Sequence, residues 1–241
     1  MTSILPTARL GVIVSSGNRT VEPYFNIFGP SNLGIYATRM RMGSGGRNTA
    51  EDIVADALRS AELLADASVD VIDLQGTGIM MERGPDGEAA VVKAITDATG
   101  IPAFTATQAV VEALNVLDIR RVIVINPADE KAIARETAYL EAVGLTVSHA
   151  VGMNSSEVVV PAPPEDWVAV AKKHGTANGD GLFLSGSFTA MLEAVAPIEA
   201  ALGKPVVTSV QAALWAGVMR LSDKIGDYAP PPELGRLFQT A

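Results

Sequence analysis

Short apolar runs alternate along this chain with longer segments in which apolar residues recur every three or four positions. The short runs are typical of buried strands, and the longer spacing is typical of amphipathic helices. Strands are predicted over residues 10–14, 34–42, 69–74, 102–105, 121–125, 145–151, 181–184 and 206–209. Helices are predicted over residues 49–67, 87–99, 107–117, 129–143, 164–174, 189–202 and 211–221. This alternation predicts βαβ units and an α/β fold whose parallel sheets are covered on both faces, with the tail from residue 230 packed on the surface.

The chain repeats itself about halfway along its length. Val12, Ile13 and Val14 recur 110 positions later as Val122, Ile123 and Val124. At the same offset Asp70, Gly76 and Thr77 recur as Asp180, Gly186 and Ser187; at an offset of 103, Pro102, Thr105 and Gln108 recur as Pro205, Thr208 and Gln211. Two copies of one unit predict two similar half-proteins with a cleft between them.

Composition narrows the class of protein. The chain has 241 residues, 48% of them hydrophobic and 19% charged, with a formal net charge of −9. The acidic balance argues against nucleic acid as a partner. The apolar runs are too short for a membrane helix, and the first residues do not resemble a signal peptide, so a cytoplasmic protein is expected.

The absence of cysteine excludes disulfides, thiolate catalysis and cysteine-based zinc sites. His149 and His174 are the only histidines, so no metal site is expected.

Polar and glycine-rich segments follow the predicted strands in each half. In open parallel sheets, ligands bind at the carboxyl ends of strands. The segments are residues 15–18, 76–78 and 105–108, followed by 126–127, 186–187 and 208–211. Successive backbone N–H groups beside helix N-termini bind an anion without any lysine. The alternative interpretation is a set of ordinary strand-to-helix turns, which favour the same residue types.

Several of these segments resemble the maleate cis-trans isomerases and arylmalonate decarboxylase, a branch of the aspartate/glutamate racemase superfamily. Residues 10–22, LGVIVSSGNRTVE, resemble the opening of that branch, and residues 39–42 resemble the end of its second strand. Residues 73–78, DLQGTG, and 181–187, GLFLSGS, resemble its two catalytic loops. The resemblance covers nearly the whole chain.

This resemblance implies two flavodoxin-like parallel-sheet domains related by a pseudo-twofold axis. The first domain would comprise residues 1–117 and 217–241, the second residues 118–216, with the active site in the cleft between them. The implied chemistry acts on a small carboxylic acid without a cofactor, and the sequence is compatible with a homo-oligomer. Thiols from the two halves act in the two-cysteine relatives, but their positions fall on Gly76 and Gly186 here.

Without thiols, the loops still offer a set of hydrogen-bond donors, namely backbone N–H groups and hydroxyls. Such a set of donors can bind a carboxylate and stabilise an enediolate by fixed dipoles. Glu22, Ser187 and Thr77 are the candidate catalytic residues. The candidate substrate-binding residues are Ser16, Asn18, Gly76, Gly78, Gly186 and Arg41. Of Arg39 and Arg41, at most one is expected to reach the cleft and pair with a carboxylate.

The leading hypothesis is a cofactor-independent lyase that acts on a small carboxylic acid by decarboxylation or another bond cleavage. One alternative is an isomerase of a maleate-like diacid that works by a non-thiol route. A second is a small-acid binding protein without turnover, which the loss of both thiols would explain.

Overall fold

The structure, a computed structural model, describes residues 5–41, 50–127, 130–153, 162–186 and 190–240. The strands are β1 Ala8–Ser15, β2 Leu33–Met40, β3 Val71–Leu74, β4 Ala103–Thr105, β5 Arg121–Asn126, β6 Thr146–Gly152, β7 Gly181–Leu184 and β8 Val206–Thr208. The helices are α1 Val21–Phe28, α2 Ala50–Asp66, α3 Thr77–Thr99, α4 Ala106–Val116, α5 Glu130–Ala142, α6 Pro164–His174, α7 Val195–Leu202, α8 Ser209–Arg220 and α9 Ser222–Ile225. None of these helices combines the length and apolar character needed to cross a membrane.

The strands form two four-stranded parallel sheets with the same topology. The order is β2-β1-β3-β4 in the first sheet and β6-β5-β7-β8 in the second. Strands next to each other along the chain are joined by helices, as parallel pairing requires. The predicted α/β fold with two similar parallel-sheet halves is confirmed.

The repeat is visible in hydrogen bonds at the start of each sheet. The carboxylate of Asp70 accepts from the backbone N–H of Arg9 at 2.7 Å, and that of Asp180 accepts from the N–H of Arg121 at 2.8 Å. The two aspartates are 110 residues apart, but the two arginines are 112 apart. In the structure, each residue of β1 is therefore equivalent to the residue of β5 that lies 112 positions later, and not 110 positions later as the sequence match suggests. A shift of two residues keeps the same side chains on the same face of the sheet.

The last helix of each half begins with the same device. Thr105 and Gln108 form a capping box at the start of α4, in which each side chain bonds the other residue's backbone N–H. Thr208 and Gln211 form the equivalent box at the start of α8. These boxes satisfy backbone donors that a helix start would otherwise leave without partners.

One hydrophobic cluster belongs to both halves. Helices α4 and α8 pack against each other, and each of them also contacts β8. Helix α4 contacts β4 as well, while α8 contacts β3. The cluster includes Phe104 and Phe183, which lie on different sheets and are 1% and 0% exposed. Each sheet also has a smaller hydrophobic cluster of its own on its other face.

The C-terminal segment contacts both halves. The hydroxyl of Thr7 donates to the carbonyl of Lys224 at 2.9 Å on the first half. The N–H of Arg236 then donates to the carboxylate of Glu199 at 3.0 Å on the second half. Leu234, Leu237 and Phe238 are buried in the shared cluster. The expectation that this tail packs on the surface is therefore wrong, because its apolar side chains complete the core.

Each predicted strand is present with ends within two residues of those observed, but the helices differ in four places. Helix α7 begins at Val195 instead of residue 189, after a 3₁₀ turn at Leu192–Ala194, and the short helix α9 was not predicted. Helix α1 was not predicted, since it is short and contains Pro23. Helix α3 begins at Thr77 instead of residue 87. A kink at Gly84, with φ 71°, and Pro85 divides α3, and this pair resembles a helix boundary in the sequence.

The carboxylate of Asp70 offers a test of the links between strands and tail. It is hydrogen-bonded by Arg9 and by Lys224 of α9, whose Nζ is 2.8 Å away. Burial opposes ionisation, but these hydrogen bonds and charges outweigh it and lower the pKa of Asp70 below its usual value. We expect Asp70→Asn to reduce the free energy of unfolding by about 1–2 kcal/mol at pH 7.

Because the pKa is lowered in the folded state, the stabilisation exists above the unfolded-state pKa and is lost as pH falls through the folded-state value. Urea unfolding at several pH values should therefore show the wild type and Asp70→Asn converging in acid. Asp97→Asn, which removes an exposed carboxylate paired with Lys93, is the control and should change stability by less than about 0.5 kcal/mol. Equal effects of both substitutions would contradict the prediction.

Candidate active site

A cavity of about 330 Å³ lies where the carboxyl ends of the two sheets face each other. Its wall is formed by residues at or just after β1, β3, β5 and β7, together with one face of α5. The lining residues are Ser15, Asn18, Gln75, Gly76, Thr77, Gly78, Ile79, Glu82, Asn126, Pro127, Ala132, Arg135, Glu136, Ser185 and Gly186. The two halves therefore contribute equivalent loops to one cavity.

The two glycines at the expected thiol positions both line this cavity. Gly76 has φ 129° and Gly186 has φ 114°, so both lie in the region that favours glycine. A β-carbon at Gly76 would lie 3.2 Å from Ile79, and one at Gly186 would lie 3.4 Å from Pro127. The N–H of Gly186 donates to the hydroxyl of Ser209 at 3.4 Å.

The loop of the first half presents donors and acceptors to the cavity. Helix α3 begins at Thr77, so the N–H groups of Thr77 and Gly78 belong to its first turn and have no acceptor within the helix. The hydroxyl of Thr77 and the side-chain oxygen of Gln75 are buried and have no hydrogen-bond partner among the described residues. Such atoms in a cavity wall are suited to a polar ligand.

Asp73 lies on β3 directly behind this loop. Its carboxylate accepts from the amide of Gln75 at 2.5 Å, which fixes the orientation of Gln75 in the cavity wall. Burial raises the pKa of Asp73 to about 7, although the hydrogen bond from Gln75 and the charge of Arg220 lower it. Asp73 is therefore partly protonated near neutral pH.

Asn18 lines the cavity and is fixed by a local turn. It is 2% exposed, and its side-chain oxygen accepts from the N–H groups of Thr20 and Val21, both at 3.0 Å. These bonds fix the start of α1 against Asn18 in the cavity wall.

Three of the sequence candidates lie away from the cavity lining. Glu22 forms an ion pair with Arg39, whose guanidinium also donates to the carbonyl of Asn18 at 2.8 Å. Ser16 is exposed, and its N–H donates to Met40. Arg41 is exposed just beyond the end of β2, and its N–H donates to Asp56 at 3.1 Å. Arg39, and not Arg41, is thus the arginine that contacts the segment after β1, at Asn18.

Gly76, Thr77, Gly78, Gly186 and Asn18 are brought together in the cavity wall. Ser187 lies outside the described residues, although its neighbours Ser185 and Gly186 are part of the wall. The roles given to these residues, and to Glu22, Ser16 and Arg41, stay predictions.

Sequence reasoning missed both acidic side chains of the cavity wall, Glu136, which is buried, and Glu82, which is exposed at the rim. Glu136 of α5 is 3% exposed, and the hydroxyl of Ser185 donates to its carboxylate. Burial raises the pKa of Glu136, while hydrogen bonds from Asn126 and Ser185 and the charge of Arg135 lower it less strongly. Glu136 therefore holds a proton more readily than an ordinary glutamate.

A signal for this residue was present in the helical pattern. Glu136 lies three and four positions before Tyr139 and Leu140, and these three are the buried residues of α5. An acid on the apolar face of a helix is either paired or functional. Arg135, the next residue along α5, is exposed at the rim of the same cavity and supplies a cation there.

Within the described ranges, no group of three or more His, Asp or Glu side chains gathers closely enough to hold a metal ion. The chemistry offered by the described wall is that of the buried carboxyl of Glu136, the exposed carboxyl of Glu82, the cation of Arg135 and uncharged donors. This combination can bind a small anion and move one proton.

Known proteins of similar sequence are named as decarboxylases and isomerases. A protein-family model described as arylmalonate decarboxylase matches residues 10–238. The arylmalonate decarboxylase of Bordetella bronchiseptica is 28% identical over 211 residues, which cover 86% of this chain and 87% of that protein. A maleate isomerase of Pseudomonas putida is 27% identical over 223 residues, which cover 86% of this chain and 89% of that protein.

Solved structures show the same fold. A crystal structure of arylmalonate decarboxylase superposes with a TM-score of 0.83 at 25% identity, covering 96% of this chain and 99% of that one. The resemblance noted from the sequence motifs is confirmed. With the family model matched from the first strand to the buried tail, the chain belongs to the arylmalonate decarboxylase family.

Proposed function

We propose that this chain is a cofactor-independent enzyme that decarboxylates a small carboxylic acid, with Glu136 as the proton donor. The observation that carries the proposal is the buried carboxyl of Glu136 in the wall of the cavity that also holds both glycine loops. The names of the relatives, arylmalonate decarboxylase and maleate isomerase, support a small acid as substrate.

The substrate carboxylates have two sources of stabilisation. Thr77 and Gly78, whose N–H groups belong to the first turn of α3, line the cavity from the first half, and the buried hydroxyl of Thr77 has no partner among the described residues. Arg135 supplies positive charge from the second half. Because the protein has a net charge of −9, long-range attraction of an anion is weak, and these local groups must do the binding.

The reaction then needs one bond broken and one proton transferred. The bond between the α-carbon and one carboxylate breaks, carbon dioxide leaves, and the electron pair stays as an enediolate. The donors at Thr77 and Gly78 stabilise the negative charge that develops on the remaining carboxylate oxygens. The proton of Glu136 passes to the α-carbon, and solvent returns a proton to the glutamate.

Glu136 can replace a thiol in this step because of its surroundings. An exposed glutamate is almost fully ionised at neutral pH and donates no proton. Burial raises the pKa of Glu136 and keeps a larger fraction of it protonated. The hydrogen bond from Ser185 holds the carboxyl in place.

A second candidate is an isomerase that moves a proton between two faces of the α-carbon. Glu82 of α3 also lines the cavity, so carboxyl groups from both halves are present. Two acid–base groups on opposite sides of a substrate are the arrangement that such a transfer requires. Glu82 is exposed at the rim, whereas Glu136 is buried, which favours a single proton donor.

The first test is a screen of substituted malonic acids, maleate and related small acids by proton NMR in D₂O. We expect one acid to lose carbon dioxide and its product to carry one deuterium on the former α-carbon. Glu136→Gln should lower kcat about 10²–10⁴-fold, because the proton donor is lost while hydrogen bonding to Ser185 is retained.

Glu141→Gln is the matched control, since Glu141 is an exposed residue of the same helix. It should retain the wild-type rate. Deuterium in recovered substrate or its isomer, without release of carbon dioxide, would support the isomerase instead. Wild-type turnover by Glu136→Gln would remove this residue from the mechanism.

The pH dependence of kcat provides a second test. Because the protonated form of Glu136 donates the proton, kcat should be constant in acid and should fall about tenfold per pH unit above the pKa of Glu136. Since burial raises that pKa, the fall should begin above the usual range for glutamate. The residual activity of Glu136→Gln should lack this dependence, and a wild-type kcat that rises with pH would show a general base instead.

A further inference from the structure

We propose that Glu88 and Tyr139 are positioning residues, which hold Glu136 of one half in register with the Gly76–Gly78 loop of the other half. This inference deepens the proposed function and rests on it for the role of Glu136. It concerns residues that do not line the cavity, so their effect must pass through the elements that carry the cavity wall.

A buried hydrogen bond joins the two halves at these residues. Glu88 lies on α3 of the first half and is 1% exposed, and Tyr139 lies on α5 of the second half and is 4% exposed. The hydroxyl of Tyr139 donates to the carboxylate of Glu88. Because both partners are shielded from water, a hydrogen bond that is lost here is not readily replaced by one to solvent.

Glu88 also binds the start of α4. The hydroxyl of Thr105, which caps α4, donates to one carboxylate oxygen of Glu88, while Tyr139 donates to the other. A carboxylate accepts on both oxygens, whereas a glutamine side chain has one accepting oxygen and adds two donors. A glutamate therefore fits the two hydroxyls better than its amide does.

The network reaches the first-half loop through Thr107. Its hydroxyl donates to the carbonyl of Thr77 at 3.3 Å, and Thr77 is the first residue of α3 and part of the cavity wall. Glu88 therefore lies between the loop that holds the substrate carboxylate and the helix that carries the proton donor.

The network reaches the proton donor along α5. Tyr139 follows Glu136 by three residues, and residues at this spacing lie on the same face of a helix. A hydrogen bond that fixes Tyr139 therefore limits rotation of α5 about its axis and sliding along it, and so fixes the turn that carries Glu136. Proton transfer is sensitive to a displacement of this turn, because the carboxyl of Glu136 must lie within reach of the α-carbon that it protonates.

The molecule contains a second bond of the same kind at the pseudo-equivalent place. Tyr24 of α1, the helix after the first strand, donates to Glu193, in the segment after β7, at 2.5 Å. Each half thus gives a tyrosine to a glutamate of the other half. Glu193 is exposed, and among the residues that the structure describes its hydrogen bond is to Tyr24 of α1 and not to α5, so this second bond serves as a control.

The experiment compares Tyr139→Phe, Glu88→Gln and Tyr24→Phe by hydrogen–deuterium exchange of the free protein. In Tyr139→Phe and Glu88→Gln, amides in residues 77–83 and 130–142 should exchange about tenfold faster, and both segments should change together. Tyr24→Phe should leave both segments at wild-type rates. Thr107→Val should loosen residues 77–83, and Thr107→Ser should restore them, because serine keeps the hydroxyl.

Kinetics on the acid found to turn over provide the second measurement. Tyr139→Phe should lower kcat about tenfold with KM changed less than threefold, since the reacting geometry is affected more than ground-state binding. Adding Tyr139→Phe to Glu136→Gln should cause no further loss, because both act through one carboxyl.

The two readouts separate the failure of this proposal from failure of the proposed function. If no acid is turned over but the two segments loosen together, the positioning link stands and the assigned chemistry falls. If the segments keep wild-type exchange in Tyr139→Phe, or if Tyr24→Phe loosens them equally, the link itself is wrong. A tenfold loss of kcat on top of Glu136→Gln would also overturn it.

Discussion

A parallel sheet must be covered on both faces, and one helical layer in this chain covers the inner faces of both sheets at once. Helices α4 and α8 pack against each other in the middle of the molecule, and β8 contacts both of them. The equivalent capping boxes at Thr105 and Thr208 fix where these helices start. The two sheets are therefore held in a fixed relative position, with their carboxyl ends facing one cavity. The shape of that cavity depends on the shared layer of α4 and α8.

The symmetry of the backbone is not matched by symmetry of the chemistry. The first half contributes uncharged groups, among them the hydroxyl of Thr77 and the amide of Gln75, and one exposed carboxyl at the rim, that of Glu82. The second half contributes Arg135 and Glu136, which carry charge or exchangeable protons. A pair of thiols would treat the two faces of a substrate alike. A single buried carboxyl distinguishes them, so the protein would deliver a proton to one face.

The sequence allowed prediction of the features that depend on local pattern. The strands, the doubled topology and the cavity placement of Asn18, Thr77 and both glycine loops follow from apolar periodicity and from the rule that ligands bind at strand ends. These signals are local or repeated, so a single chain contains them. Even the two-residue shift between β1 and β5 left the faces of the strands unchanged.

The features that depend on how the two halves meet could not be predicted. The spacing of Glu136 with Tyr139 and Leu140 places it on the apolar face of α5, but only the packing of α5 against the first half shows that this face lines the cavity. The choice between Arg39 and Arg41 depends on where β2 ends, which differs from the predicted end by two residues. The bond between Glu88 and Tyr139 joins residues 51 positions apart whose partnership no local pattern encodes.

The backbone at the two glycines limits how this cavity could be redesigned. Gly76 and Gly186 have φ values of 129° and 114°, conformations that cost a residue with a β-carbon about 1–3 kcal/mol. A cysteine introduced at either position would carry this cost in backbone strain. New proton-transfer groups are therefore tolerated better on α5, beside Glu136, where the backbone is helical.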